Sequence, residues 1–165
     1  MEKVILGTGC YDNVKSGNMV SITGDGGKAW GFTGNAYRKL APRLITYVTY
    51  AERYQELLFI KNEEDYLRFR ELIENEYIRS FYQTRLKDMD INGLLHTLKE
   101  IYGNDIILLC HEDEKEFCHR RIIADYIELK TGIYIPEIKV DEKGNIEELT
   151  PIRYTKRLEK VIKGR

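Results

Sequence analysis

Four consecutive apolar residues, Ile106–Leu109, constrain the fold of this chain more than any other segment. The run does not alternate with polar residues, so both faces of a strand formed from it would be apolar. Such a strand needs cover on both faces, as at the centre of a parallel sheet in an α/β protein. The sequence therefore predicts that Ile106–Leu109 is a central strand with a neighbour on each side.

The segments around this strand fit the same class of fold. Apolar periodicity, capping residues and glycine stops predict two short strands and three helices before it and one helix after it. The predicted strands are 3–8 and 18–23. The three helices before the central strand start near Pro42, Asn62 and Asp90, and the helix after it spans 118–131. In the first helix an apolar stripe is formed by Leu44, Tyr47, Val48, Ala51 and Tyr54. The expectation is a three-layer α/β fold with a small parallel sheet and a helix-rich crossover over 43–102.

The C-terminal part is predicted to be a peripheral addition. Residues 135–140 and 146–149 form a hairpin around a turn at Lys143-Gly144-Asn145, and Pro151 opens a last, basic helix. At 165 residues the chain fits a single domain, 1–165, with 133–165 as a C-terminal extension.

Composition narrows the class of protein. The formal net charge is −1, so the whole molecule is not drawn to nucleic acid or membrane by bulk charge. No apolar run approaches the roughly 20 residues needed to cross a bilayer. Three cysteines without a secretory signal indicate free thiols and a cytoplasmic location.

The eleven residues Cys110–Arg120, CHEDEKEFCHR, form the principal candidate site. Ligands of open α/β sheets bind outside the carboxyl ends of the strands, where Cys110 is placed. Cys118, His119 and Arg120 begin the next helix, whose free N–H groups favour an anion. Arg120 adds a two-pronged donor for phosphate or carboxylate. The helix start also predicts a lowered pKa for the Cys118 thiol.

The string LLCHEDEKEFCHR resembles the motif of the bacterial and phage family called domain of unknown function 488. In that family a strand ending in Leu-Leu-Cys is followed by a short acidic loop and by Cys-His-Arg at a helix start. Weaker matches upstream and downstream extend the likeness over roughly residues 3–138; they are Val20-Ser21-Ile22, Leu40-Ala41-Pro42, Tyr50, Tyr54 and Ala124.

The resemblance also marks a departure and further candidate ligand contacts. The family usually has an arginine or a similar polar group after the second strand, where this chain has Thr23-Gly24-Asp25. If that group holds an anion, either Lys28 or Arg38 must replace it here or the ligand differs. Independently of the resemblance, Thr8 and Ser21 are candidate ligand contacts because they lie toward the same sheet end, on the first two strands.

Three hypotheses for function follow. The first is an enzyme that hydrolyses a nucleotide or acts on nucleic acid, with Cys118 or Cys110 as nucleophile or orienting group and His119 transferring protons. Glu112 would orient His119 or act as a general base. The second is a non-catalytic nucleotide or nucleic-acid binding module that uses the same anion pocket.

The third hypothesis is a structural zinc site formed by both cysteines with His111 or His119. The spacing differs from the usual C-x(2–4)-C, and neighbours such as Cys118 and His119 rarely reach one ion together. No metal and no cofactor is therefore assigned.

A basic face on the last helix provides a local route to nucleic acid. Its cationic residues are Arg153, Lys156, Arg157, Lys160, Lys163 and Arg165. The predicted partners are therefore a nucleotide or another phosphate-bearing ligand and, through this helix, nucleic acid, with no membrane.

Overall fold

A six-stranded sheet organises the fold in a computed structural model that describes residues 3–164. Its strands are β1 (Ile5–Cys10), β2 (Asn18–Ser21), β3 (Asn35–Ala36), β4 (Ile106–Cys110), β5 (Glu137–Val140) and β6 (Ile146–Leu149). The order across the sheet is β3-β2-β4-β1-β5-β6, and every neighbouring pair is parallel except β5 and β6. With five α-helices in the same described residues, this arrangement confirms the predicted α/β class.

Strand β4 lies at the centre of the sheet, as its sequence predicts. It pairs with β1 on one side and with β2 on the other. All five of its residues are buried, because helices and neighbouring strands cover a surface that has no polar face. The prediction that Ile106–Leu109 is a flanked central strand is confirmed.

The helices follow the predicted order. They are α1 (Leu44–Leu57), α2 (Glu63–Phe81), α3 (Ile91–Tyr102), α4 (His119–Thr131) and α5 (Thr155–Ile162). Asn62 caps α2 as expected, because its Oδ1 accepts a hydrogen bond of 3.0 Å from the Asp65 N–H. The expectation that Pro151 opens the last helix is wrong, since α5 begins at Thr155.

The predicted C-terminal hairpin is present as the antiparallel pair β5–β6. Strand β5 also joins the main sheet, because Thr8 of β1 lies opposite Glu137 in a parallel pair. The hairpin therefore brings an acidic side chain next to β1, and this carboxylate has a part in the site described below.

The described residues fall into two compact units. The first, residues 3–41 and 89–155, holds the sheet with α3 and α4, and the second, residues 42–88 and 156–164, holds α1, α2 and most of α5. The single domain expected from the chain length stays a prediction. Within residues 3–164 no helix has the length and apolar character required to span a membrane.

In the second unit, the apolar stripe of α1 is largely on the surface. The Leu44 side chain is 76% exposed and that of Tyr47 is 54% exposed. The face of α1 that packs on α2 carries the buried Thr46, whose hydroxyl lies 2.5 Å from that of Ser80. Periodicity found the helix but did not identify its packed face.

Candidate functional site

Three parallel strands end at the same edge of the sheet and bring the candidate residues together there. Cys10 at the end of β1 lies opposite Cys110 at the end of β4, and Ser21 at the end of β2 lies opposite Leu109. This edge is where open α/β sheets place their ligands. The sequence located the candidate site correctly in the fold.

The core of the site is a group of four side chains, Cys110, Glu112, Cys118 and His119, called here the Cys–His–Glu cluster. The Cys110 and Cys118 thiols both donate to Glu112 Oε2, at 2.8 and 3.2 Å. His119 Nδ1 lies 3.7 Å from Cys110 Sγ and 3.9 Å from Cys118 Sγ. The predicted proximity of Cys110 and Cys118 as free thiols is confirmed.

The orientation of His119 is fixed from its other side. His119 Nε2 lies 2.8 Å from the carbonyl oxygen of Ile22, in the segment that follows β2. A carbonyl oxygen only accepts hydrogen bonds, so Nε2 carries a proton and donates it. In the neutral ring Nδ1 then carries a lone pair, and this atom faces the two sulfur atoms.

The predicted activation of Cys118 is wrong. Burial, followed by the neighbouring Cys110 thiol, raises the pKa of Cys118 well above its ordinary value of 9.0. The side chain is only 2% exposed and lies at the N-cap of α4 with an extended backbone. Desolvation of a thiolate at this position outweighs the field of the helix, so Cys118 is a protonated thiol at neutral pH.

Glu112 and His111 form an ion pair at the outer side of the cluster. His111 Nε2 lies 3.0 Å from Glu112 Oε1. Burial of the Glu112 carboxyl acts to raise its pKa, but hydrogen bonds from His111 and Cys110 outweigh burial and lower the pKa to about 2. The same hydrogen bond to Glu112 raises the pKa of His111 above 6.5. Glu112 is therefore a carboxylate that favours the charged form of His111.

An exposed aromatic ring lies over His111. The Trp30 indole stacks on the imidazole, with ring centroids 4.9 Å apart and planes 7° from parallel, and 57% of Trp30 is exposed. Trp30 lies in a short 3₁₀ turn between Gly27 and Gly31, both of which have positive φ angles that favour glycine. Sequence reasoning missed this contact, although a lone tryptophan in a glycine-rich loop after a strand is an available signal.

Arg120 lies beneath the cluster and is fully buried. Its Nε and Nη2 donate to the two carboxylate oxygens of Glu137 at 3.1 and 2.7 Å, and Nη2 also donates to the Asp113 carbonyl at 3.1 Å. The carboxylate partner of Arg120 is Glu137 of β5. The two-pronged contact expected for a ligand is thus made by Glu137, and anion binding by Arg120 stays a prediction.

Thr8 belongs to the same buried network. Its hydroxyl donates to Glu137 Oε1 at 2.6 Å and accepts from Arg121 Nη1 at 2.8 Å. Arg121 also donates to the Ile135 carbonyl at 2.8 Å. Thr8 therefore positions Glu137, and a ligand contact by Thr8 stays a prediction.

The remaining candidate contacts surround the glycine-rich loop. Ser21 Oγ lies 2.7 Å from the Tyr11 hydroxyl, and Arg38 Nε donates to the Gly24 carbonyl at 3.1 Å, while Lys28 is exposed. The Asp25 carboxylate accepts from the N–H groups of Gly27 and Ala29 at 2.8 and 3.1 Å. Asp25, which departs from the family pattern, thus holds the loop that carries Trp30 through these two hydrogen bonds.

Much of the basic surface around α5 is paired with acids. Arg153 contacts Asp125 and Glu128, and Arg157 Nη1 donates to Glu74 at 3.1 Å. Lys156, Lys160 and Lys163 complete the described basic face, and Arg165 lies outside the described residues. Nucleic-acid contact through this helix stays a prediction.

Comparison with known proteins gives a family but no activity. A family model described as "Domain of unknown function DUF488" matches residues 45–127, about half of the 165 residues. The match includes the whole of the segment from Cys110 to Arg120. No curated protein and no solved structure is significantly similar to the chain.

Proposed function

The chain belongs to the family of domain of unknown function 488, and we propose that it binds a nucleotide at the carboxyl edge of its sheet. The observation that carries this proposal is the exposed Trp30 ring supported from below by His111. An indole held flat on one side offers its other face to a nucleobase, and such stacking contributes about 1–3 kcal/mol per base.

Charge near this ring favours a phosphate-bearing ligand. The hydrogen bond to Glu112 raises the pKa of His111 and so favours its charged form, and Lys28 is exposed on the same short turn as Trp30. An aromatic platform beside cationic groups suits a base and its phosphates together.

Binding is measured directly by fluorescence, because Trp30 is the only tryptophan of the chain. Adenine, guanine, cytosine and uracil nucleotides are titrated against the intact protein, with inorganic phosphate as a ligand that has no base. We expect quenching by at least one nucleotide and none by phosphate alone. No quenching by any nucleotide would contradict the proposal.

A variant pair tests whether the ring itself binds. Trp30→Ala should weaken nucleotide binding measured by equilibrium dialysis, whereas Tyr47→Ala should leave it unchanged. Tyr47 is a matched control because it is a similarly exposed aromatic residue, 54% against 57%, in the other structural unit. Equal losses in both variants would remove Trp30 from the site.

Hydrolysis of the bound nucleotide is the second candidate, favoured by the His111–Glu112 pair. Water would be the nucleophile, and His111 in its charged form would donate a proton to the leaving group. Glu112 would orient His111 through their hydrogen bond. Neither Cys110 nor Cys118 is assigned as nucleophile, because both are buried. Product formation by the wild type that is lost in His111→Gln would support hydrolysis. Binding without product formation would contradict hydrolysis and leave nucleotide binding as the proposed function.

A further inference from the structure

We propose that Cys110, Cys118 and His119 bind one zinc ion. Their ligand atoms lie within 4.8 Å of one another, and all three side chains are buried. Two sulfur atoms and one imidazole nitrogen form a donor set that zinc prefers. The inference does not depend on nucleotide binding, because it rests on other side chains and is tested without a nucleotide.

The measured distances fit ligands of a single ion. Zinc–sulfur bonds of ~2.3 Å and zinc–nitrogen bonds of ~2.0 Å in a tetrahedral site imply sulfur–nitrogen separations of about 3.5 Å. His119 Nδ1 lies 3.7 and 3.9 Å from the two sulfur atoms. Shifts of a few tenths of an ångström would bring His119 Nδ1 to that separation from each sulfur atom, and the two sulfur atoms lie within 4.8 Å of each other.

His119 has the second contact that is typical of a metal ligand. A ligating histidine usually donates its other ring N–H to a carboxylate or a backbone carbonyl, which fixes the tautomer and the ring. The contact of 2.8 Å between Nε2 and the Ile22 carbonyl meets this requirement and directs Nδ1 toward the sulfur atoms of Cys110 and Cys118.

The backbone at the start of α4 explains how two consecutive residues reach one ion. Cys118 is extended, with φ −153° and ψ 141°, and His119 is the first residue of the helix. The change from extended to helical backbone between them turns both side chains toward Cys110. The sequence argument against adjacent zinc ligands therefore does not apply at this helix start.

Charges around the cluster suit a pair of metal-bound thiolates. Arg120, held rigidly by Glu137, interacts electrostatically with both Cys118 and Cys110. Its Nη1 is buried and has no hydrogen-bond partner within the described residues. Zinc binding removes both thiol protons, which are released to solvent. Three protein ligands leave the fourth position open, as in catalytic zinc sites.

The test measures metal on the reduced, chelator-treated full chain. We expect one equivalent of zinc per chain from zinc chloride, and with cobalt chloride the near-ultraviolet band of a cobalt–thiolate bond. Cys118→Ser and His119→Ala should lose stoichiometric binding. Cys10→Ser is the matched control, because Cys10 is equally buried at the same sheet edge but outside the cluster, and it should retain one equivalent.

X-ray absorption at the zinc edge identifies the ligand atoms directly in the wild-type chain. This measurement tests the proposal even if a variant does not fold. Two sulfur ligands and at least one nitrogen ligand support the proposal. Substoichiometric zinc, a shell without sulfur, or equal loss in Cys10→Ser would overturn it. Glu112→Gln should keep its zinc, and loss of zinc in that variant would overturn the three-ligand set.

Discussion

Arg120 shows how a residue suited to bind an anion is instead paired within the protein. Its pair with Glu137 has no exposed surface on either side chain. Removing one partner leaves the other charge buried and unpaired, which costs about 3–5 kcal/mol. We therefore expect Arg120→Ala to lower the free energy of unfolding by that amount in urea denaturation.

The control for this prediction is an exposed pair of the same type. Arg68 and Glu64 lie 3.1 Å apart with side chains 72% and 81% exposed, so Arg68→Ala should cost no more than about 1 kcal/mol. Similar losses in the two variants would contradict a structural role for the Arg120–Glu137 pair. Nucleotide binding measured on the same Arg120→Ala protein tests the ligand role that the sequence suggested.

The His111–Glu112 pair predicts a pH dependence with a definite sign. The pKa of His111 is raised in the folded chain above its ordinary value of 6.5, chiefly by its hydrogen bond to Glu112. The stability it contributes is fully present below the unfolded pKa and is lost as pH rises through the folded one. In Glu112→Gln we expect an NMR titration to show a lower His111 pKa than in the wild type.

Glu114→Gln is the control for the titration, since Glu114 is an acid of the same loop that contacts Asn13 at 3.3 Å. It should leave the His111 pKa in place. A His111 pKa that stays raised in Glu112→Gln would assign the shift to another group.

At the scale of single residues, the sequence predicted where the candidate residues lie in the fold, while their roles stay predictions. Residue types and their positions relative to the strands predicted that Cys110, Cys118 and His119 lie at one sheet edge, as they do in the structure. The pKa of Cys118 was predicted to be lowered, but burial raises it, and burial depends on residues distant in sequence. Glu137 and Trp30 were missed for the same reason, since nothing local places β5 beside Arg120 or the glycine-rich loop beside His111.

At the scale of elements, the close approach of β1 and β5 depends on glycine. A Cβ added at Gly9 would lie 2.5 Å from Val14 Cγ2 and 3.1 Å from the Ile138 carbonyl oxygen. Gly9→Ala should therefore lower the free energy of unfolding by about 1–3 kcal/mol, the usual cost of overpacking. Gly24→Ala is the control, because no atom lies within 4 Å of its added Cβ. Equal stability of the two variants in urea would show that the sheet adjusts without cost.

Elements were predictable where local rules decide them. The unalternating run of β4, the Asn62 cap and the turn before β6 each produced the expected element. The start of α5 and the packed face of α1 were not identified. In α1 both faces carry large apolar residues, so periodicity alone cannot select the face that contacts α2.

At the scale of the whole molecule, all three cysteines are predicted to be protected by folding. Cys10, Cys110 and Cys118 are free thiols with exposures of 2%, 0% and 2%. A fast-reacting thiol requires an accessible thiolate, and burial raises the pKa of both Cys10 and Cys118. Reaction with a thiol reagent must therefore wait for the chain to open.

Thiol labelling of the metal-free chain at mildly alkaline pH tests this protection. We expect slow modification of the native protein and rapid modification of all three thiols in guanidinium chloride. Adding urea below the unfolding midpoint should speed the native reaction in proportion to the open population, because opening exposes the buried sulfurs. Mass spectrometry of partly labelled chains identifies the modified residue. Rapid labelling of Cys118 alone in the native chain would show that the sheet edge opens locally, and would restore that thiol as a candidate nucleophile.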